Sequence, residues 1–202
     1  MQQLTLFDFV PVGNEIPVKK IISNKINSIE EKRLKDAFGF SLANVLFNEM
    51  TDYTSLYDLD TDERTIFGTR LQKTLEKHCD IEKGEICDYN IEGFEVELKT
   101  LTQRIRKNED GTKILMDTYR GGHVGSRQIG HHGLLCLYKE KGIHSYLHFV
   151  YHKLDLENLG EGLNSNGRRI TKEKHIRENM KKNSIRELKI NRFDYINKKY
   201  KN

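Results

Sequence analysis

Prolines are nearly missing from this chain, with Pro11 and Pro17 the only two in 202 residues, and cysteines are hardly commoner. Cys79, Cys87 and Cys136 are an odd count without a short paired spacing. They argue against a disulfide framework and fit reduced thiols. A zinc site drawing on His78, Cys79 and Cys87 matches no common ligand spacing. No apolar run approaches the ~18 residues that span a membrane, and the first residues lack the basic and long apolar segments of a signal peptide. No membrane partner is expected, and the expected location is cytoplasmic. There is also no internal repeat and no low-complexity tract.

What is present reads as one α+β domain with an appended arm. Hydrophobic residues make up 36% and charged residues 32%, polar for a globular protein but not disordered. The net charge of +4 is unevenly spread. Residues 167–202 hold 13 Lys/Arg against four Asp/Glu, a net of +9, which leaves 21 basic and 26 acidic residues before them, a net of −5. A basic tail on a mildly acidic body points to a polyanionic partner, the alternative being a solvated basic helix. Lys172, Lys174, Arg177, Lys181 and Lys182 are the candidate phosphate contacts.

Along the chain, residues 1–25 are expected to form an extended arm. Ser28-Ile-Glu-Glu31 has the form of a capping box, with a helix to about Met50 interrupted at Gly39. Asp60 to Glu63 opens a second helix over about 62–78, which places Phe67, Leu71 and Leu75 on one stripe. A strand is predicted over 113–119. A long antiparallel pair over 134–140 and 143–154 is predicted to join at Lys141-Gly142. A basic helix is predicted over 171–183, and a short strand or helix around 190–196.

The most informative stretch lies between. Residues 84–100 read GEICDYNIEGFEVELKT, a β-hairpin if Glu92 and Gly93 form a two-residue turn. Ile91 then faces Phe94, Asn90 faces Glu95, Tyr89 faces Val96, and Asp88 faces Glu97. Lys99 projects from the same face, while Val96 and Leu98 form the apolar one. Two carboxylates this close repel unless a cation sits between them, and a divalent metal with Lys99 beside it answers that need. The alternative is an exposed amphipathic hairpin with cross-strand charges.

Glu97-Leu98-Lys99, preceded by Asp88, resembles the PD-(D/E)XK nuclease superfamily, which includes many type II restriction endonucleases. The string FEVELKT over 94–100 looks most like the methyl-directed mismatch-repair endonucleases of the MutH type and their restriction-enzyme relatives. Residues 68–76, GTRLQKTLE, match in form the preceding helix of that family, which carries a glutamate near its end. The resemblance covers roughly residues 66–100; no proline precedes Asp88, and its gap to Glu97 is slightly longer than in MutH. It implies that Asp88 and Glu97 bind Mg²⁺, with the Leu98 carbonyl a further ligand. Lys99 would orient or deprotonate the attacking water, and Glu76 would support the site.

Other features point outward. Gln3-Leu4-Thr5-Leu6-Phe7 resembles the peptide by which proteins bind the bacterial sliding clamp, with Gln3, Leu4, Leu6 and Phe7 as the contacts. Its alternative is a first strand packed on the core. Residues 121–133 form a loop with five glycines, in which Arg127 and Gln128 suit guanine and adenine edges. His123, His131 and His132 there could instead be ligands of a His-Asn-His nuclease, whose remaining spacing is not found. His144, His148 and His152 fall at even positions along one strand and are expected to line its polar face.

The expected fold is therefore α+β, with a restriction-endonuclease-like mixed central sheet flanked by helices. Residues 1–25 are the arm, and 26–202 the nuclease domain. The expected activity is Mg²⁺-dependent, sequence-specific cleavage of double-stranded DNA, in restriction or mismatch repair, by a monomer or homodimer. The alternatives are a non-catalytic DNA- or clamp-binding accessory protein and a structure-specific DNA nuclease.

Overall fold

The computed structural model describes residues 15–48, 51–160 and 167–199. Its first element departs from the expected arm. Helix α1 (Glu15–Ser28) carries Pro17 in its first turn, where a backbone N–H would have no helical partner. Val18, Ile22 and Ile26 recur at helical spacing, and the two isoleucines are fully buried, so residues 15–25 belong to a helix that packs into the core. Ser28 closes this helix instead of capping the next, its hydroxyl donating to the Lys25 carbonyl at 2.8 Å. Helix α2 (Glu31–Leu46) follows Glu30, which makes no side-chain cap bond.

α2 runs unbroken through Gly39, in place of the expected interruption. The glycine serves close contact: a Cβ there would lie 2.3 Å from the Tyr195 ring. The helix ends before a short antiparallel ribbon of β1 (Phe47–Asn48) and β2 (Thr51–Asp52). Helix α3 (Thr61–Cys79) starts where the sequence places it. Asp60 accepts the Glu63 N–H at 2.8 Å and Glu63 accepts the Asp60 N–H at 2.9 Å, a reciprocal cap. Phe67, Leu71 and Leu75 are buried, each contributing about 1.5–3 kcal/mol.

The strands that follow are β3 (Glu82–Lys83), β4 (Tyr89–Ile91), β5 (Phe94–Lys107), β6 (Lys113–Gly121), β7 (His123–Val124), β8 (His132–Lys141), β9 (His144–Lys153) and β10 (Arg169–Ile170). Helix α4 (Glu173–Lys182), β11 (Ser184–Asn191) and α5 (Arg192–Lys199) complete the order. Seven strands form one mixed sheet, ordered β11-β9-β8-β5-β4-β3 with β6 also on β5. Among the described residues only β5 and β8 pair in parallel, so the α+β class with a mixed sheet holds. β8 and β9 turn at residues 142–143, one position later than expected, because Lys141 pairs with His144. β7 and β10 form a separate two-stranded ribbon.

Alternation along the strands sorts the core into two layers. Val96, Leu98, Leu134, Cys136, Leu147 and Phe149 meet α1, α2, α3 and α5 on one face. Leu101, Leu135, Leu137 and Val150 meet Ile176 and Met180 of α4 on the other. His148 and His152 share this second face, and His152 is fully buried beneath α4, not solvated. The three cysteines are buried and free. Burial pushes the Cys79 thiol up to about 11 and the Cys87 thiol up to about 12, which leaves both protonated at neutral pH. No helix among the described residues is long and apolar enough to cross a membrane.

Candidate active site

Glu92 and Gly93 both have positive φ, 52° and 86°, the pair a type I′ turn requires. The turn sets the expected register, Ile91 with Phe94, Asn90 with Glu95 and Tyr89 with Val96. The ladder stops there. Asp88 does not pair with Glu97 as a further rung; its Oδ2 accepts the Leu98 N–H at 2.8 Å, so a side chain completes what backbone would have supplied. The strand ends early because the preceding loop has another anchor. The Glu95 carboxylate accepts N–H groups from Glu85, Ile86 and Cys87 at 3.0, 3.1 and 2.7 Å. Gly84 fits beneath it, since a Cβ would lie 2.6 Å from the Cys87 carbonyl oxygen. This tight loop delivers Asp88 to the sheet edge.

That edge has a gap. β8 occupies one side of β5 over residues 96–102, so β4 and β6 share the other. β4 covers residues 94–96 and β6 covers residues 101–107, which leaves 97–100 between them. The N–H and C=O of one residue in an extended strand face the same edge. Leu98 donates its N–H into the gap, so its carbonyl opens there too.

Glu97 is buried, 4% exposed, and ion-paired with the Lys99 ammonium. Burial first, then the negative charge of Glu97, pushes the Asp88 carboxyl up to about 6 from 3.8, against the Leu98 N–H and Lys99, which pull it down. Among the described residues no group of three His, Cys, Asp or Glu side chains is placed to hold a metal, the His78, Cys79 and Cys87 set included. The donor set at the gap is two carboxylates and one carbonyl. Those are hard oxygen ligands, and a cation between them would relieve the repulsion that raises Asp88; they suit Mg²⁺, which keeps several waters of its own.

The gap opens into a cleft of about 1050 Å³ that Asp88, Glu97, Leu98 and Lys99 all line. Its walls are basic: Arg64 from α3, Arg104 and Lys107 from β5, and Arg168 with His123 from the β7–β10 side. Gln72 of α3 also lines it. Glu76 does not: it lies one helical turn further on, accepting a 3.3 Å hydrogen bond from Gln72, and it is the last contributor to the raised Asp88 carboxyl.

The structure brings together Asp88, Glu97, Leu98 and Lys99 of the expected site and sets the others apart. Arg127 is exposed and Gln128 half-buried in a short 3-10 turn over 126–128, and neither lines the cleft. Gln128 is engaged in its own turn, its Oε1 accepting the Gly125 N–H at 2.8 Å. Lys172, Lys174, Arg177, Lys181 and Lys182 lie on or beside α4, and none of them lines the cleft. Gln3, Leu4, Leu6 and Phe7 fall outside the described residues. Sequence reasoning missed Gln72, the cleft arginines and the Glu95 anchor. One signal was available: Arg104 and Lys107 continue the strand that carries Glu97 and Lys99.

No known family model matches this chain, and no curated protein matches it either.

Proposed function

We propose that this chain is a Mg²⁺-dependent, sequence-specific endonuclease of duplex DNA, of the PD-(D/E)XK kind and nearest in motif to MutH and its restriction relatives. The observation that supports it best is the meeting of Asp88, Glu97 and Lys99 in the one gap of the β5 edge, at the floor of a basic cleft. Asp88, Glu97 and the Leu98 carbonyl would hold the ion. When bound, Mg²⁺ offsets charge on a phosphate and acidifies a coordinated water. Lys99, held as an ammonium by Glu97, orients the attacking water and faces the charge that builds on phosphorus. Arg64 and Lys107 hold the flanking phosphates, and Arg104, which lies 3.6 Å from Glu173 of α4, stands beside them.

A second reading has its own support. Lys99 already neutralises Glu97, and the Leu98 N–H already satisfies Asp88, so the acidic hairpin is self-sufficient without a metal. That is what a non-catalytic DNA- or clamp-binding accessory protein would need. Plasmid DNA incubated with Mg²⁺ separates the two. Wild-type protein is expected to give discrete fragments, and Glu97→Ala to lose at least about 10²–10³-fold in rate. A smear or nicking would indicate a preference for DNA structure or strand. Intact plasmid would favour the accessory protein, and undiminished cutting by Glu97→Ala would end the nuclease reading.

A further inference from the structure

Sequence-specific cutting needs an element that reaches base edges, and Arg127 and Gln128 sit outside the cleft. The β7–β10 ribbon is better placed. Ile170 pairs with His123 across the ribbon, so these two share a face, and Arg168 stands immediately before β10. All three line the cleft. The opposite face is anchorage. Val124 is buried with Leu154 and Leu159, while Arg169 donates to the Gly160 carbonyl at 2.9 Å. At the base, the Thr171 N–H and hydroxyl both reach the Gly122 carbonyl, at 3.2 and 3.1 Å. The ribbon therefore presents a fixed face to whatever fills the cleft.

We infer that this ribbon is the base-reading element, entering the major groove of a duplex with Arg168 on a guanine, Ile170 on a thymine methyl and His123 on a neighbouring base edge. The inference rests on the reading that the cleft holds duplex DNA. The major groove, about 12 Å wide, admits a two-stranded ribbon whose strands lie about 5 Å apart. Arginine presents the fork that matches guanine O6 and N7. Ile170 is the discriminating observation: it is an aliphatic side chain, 38% exposed, on a ribbon whose other cleft-lining side chains are Arg168 and His123. Phosphates offer an aliphatic side chain nothing, whereas the thymine methyl offers an apolar contact.

The test is selection of bound duplexes from a random library by the full chain, with Ca²⁺ in place of Mg²⁺, followed by Mg²⁺ cleavage of the enriched sequence. Wild type should enrich one sequence. Arg168→Ala and Arg168→Lys should each lose roughly ten- to hundredfold preference at one base pair, and Arg168→Lys should keep its overall affinity because charge is retained. Ile170→Ala should lose preference at an adjacent A·T position. Variants that enrich the wild-type sequence with wild-type strength overturn the inference, as does a wild type that enriches none. Loss of preference in the variants while Mg²⁺ cuts nothing would support the ribbon and overturn the nuclease reading alone.

Discussion

Glu95 accepts three consecutive backbone N–H groups, and that one carboxylate shapes the loop from which Asp88 emerges. Burial pushes the Glu95 carboxyl up, but the three N–H bonds outweigh it and leave the group below its ordinary value. Glu95→Ala should therefore cost about 1–3 kcal/mol in urea unfolding, since the Cys87 N–H, at a buried residue, loses its charged acceptor while those of the exposed Glu85 and Ile86 turn to water. It should also weaken Mg²⁺ binding and cleavage by misplacing Asp88, with Glu95→Gln intermediate because one acceptor oxygen remains. Unchanged stability and full cleavage in Glu95→Ala would separate this carboxylate from the site. Sequence pattern alone does not tell Glu95 from Glu97. Both fall on the same face of one strand, and what divides their roles is the loop that folds over the first and the gap that opens at the second. The same limit applies to Glu76 and Gln72, one helical turn apart on α3. Periodicity names the buried stripe of a helix but not how far the helix slides along its sheet, so Gln72 at the cleft was not legible.

At the level of elements, the hairpin was readable because a two-residue turn fixes every pairing beyond it, and the α3 start because its cap is reciprocal within four residues. α1 was not, since a proline in a first turn and a proline in an extended arm look alike without the packing of Ile22 and Ile26. Gly39 looked like a break because its reason, the Tyr195 ring, lies far off in sequence. The parallel pairing of β5 with β8 likewise has no local signal. Nor does the attachment of α4, which produces a testable acid sensitivity. Asn179 of α4 donates to His152 Nδ1 at 2.8 Å, and the imidazole is fully buried with Nε2 unpartnered. Burial, then neighbouring His175, push it down to about 4 from 6.5. A base depressed in the folded state contributes its stability fully above about 6.5, and that stability is lost as pH falls from 6.5 towards 4, of order 3 kcal/mol in all. Urea unfolding at pH 7, 5.5 and 4.5 should show wild type losing stability faster than His152→Gln. Parallel losses would place the acid-sensitive group elsewhere.

Across the whole molecule, charge along the sequence and charge in space are different maps. The C-terminal stretch carries the basic excess, yet its helix consumes much of it. Arg177 is ion-paired with Glu173, Lys174 lies 3.9 Å from Glu178, and Lys172 donates to the Glu157 carbonyl at 3.1 Å. The cleft takes its cations from distant parts of the chain, Arg64 on α3, Lys107 on β5 and Arg168 beside β10, which only the fold assembles. Each phosphate that the protein no longer neutralises should reduce the slope of log affinity against log salt by about 0.9. Replacing Arg64 and Lys107 by glutamine should thus flatten the slope for any duplex by up to about 2. Replacing Lys174, Arg177 and Lys181 should change it far less, because two of those cations already face carboxylates of their own helix. Salt titration of a fluorescent duplex measures both sets at once. If the α4 set carries the slope and the cleft set does not, the duplex lies against α4, and the assignment of its phosphates to the cleft cations fails.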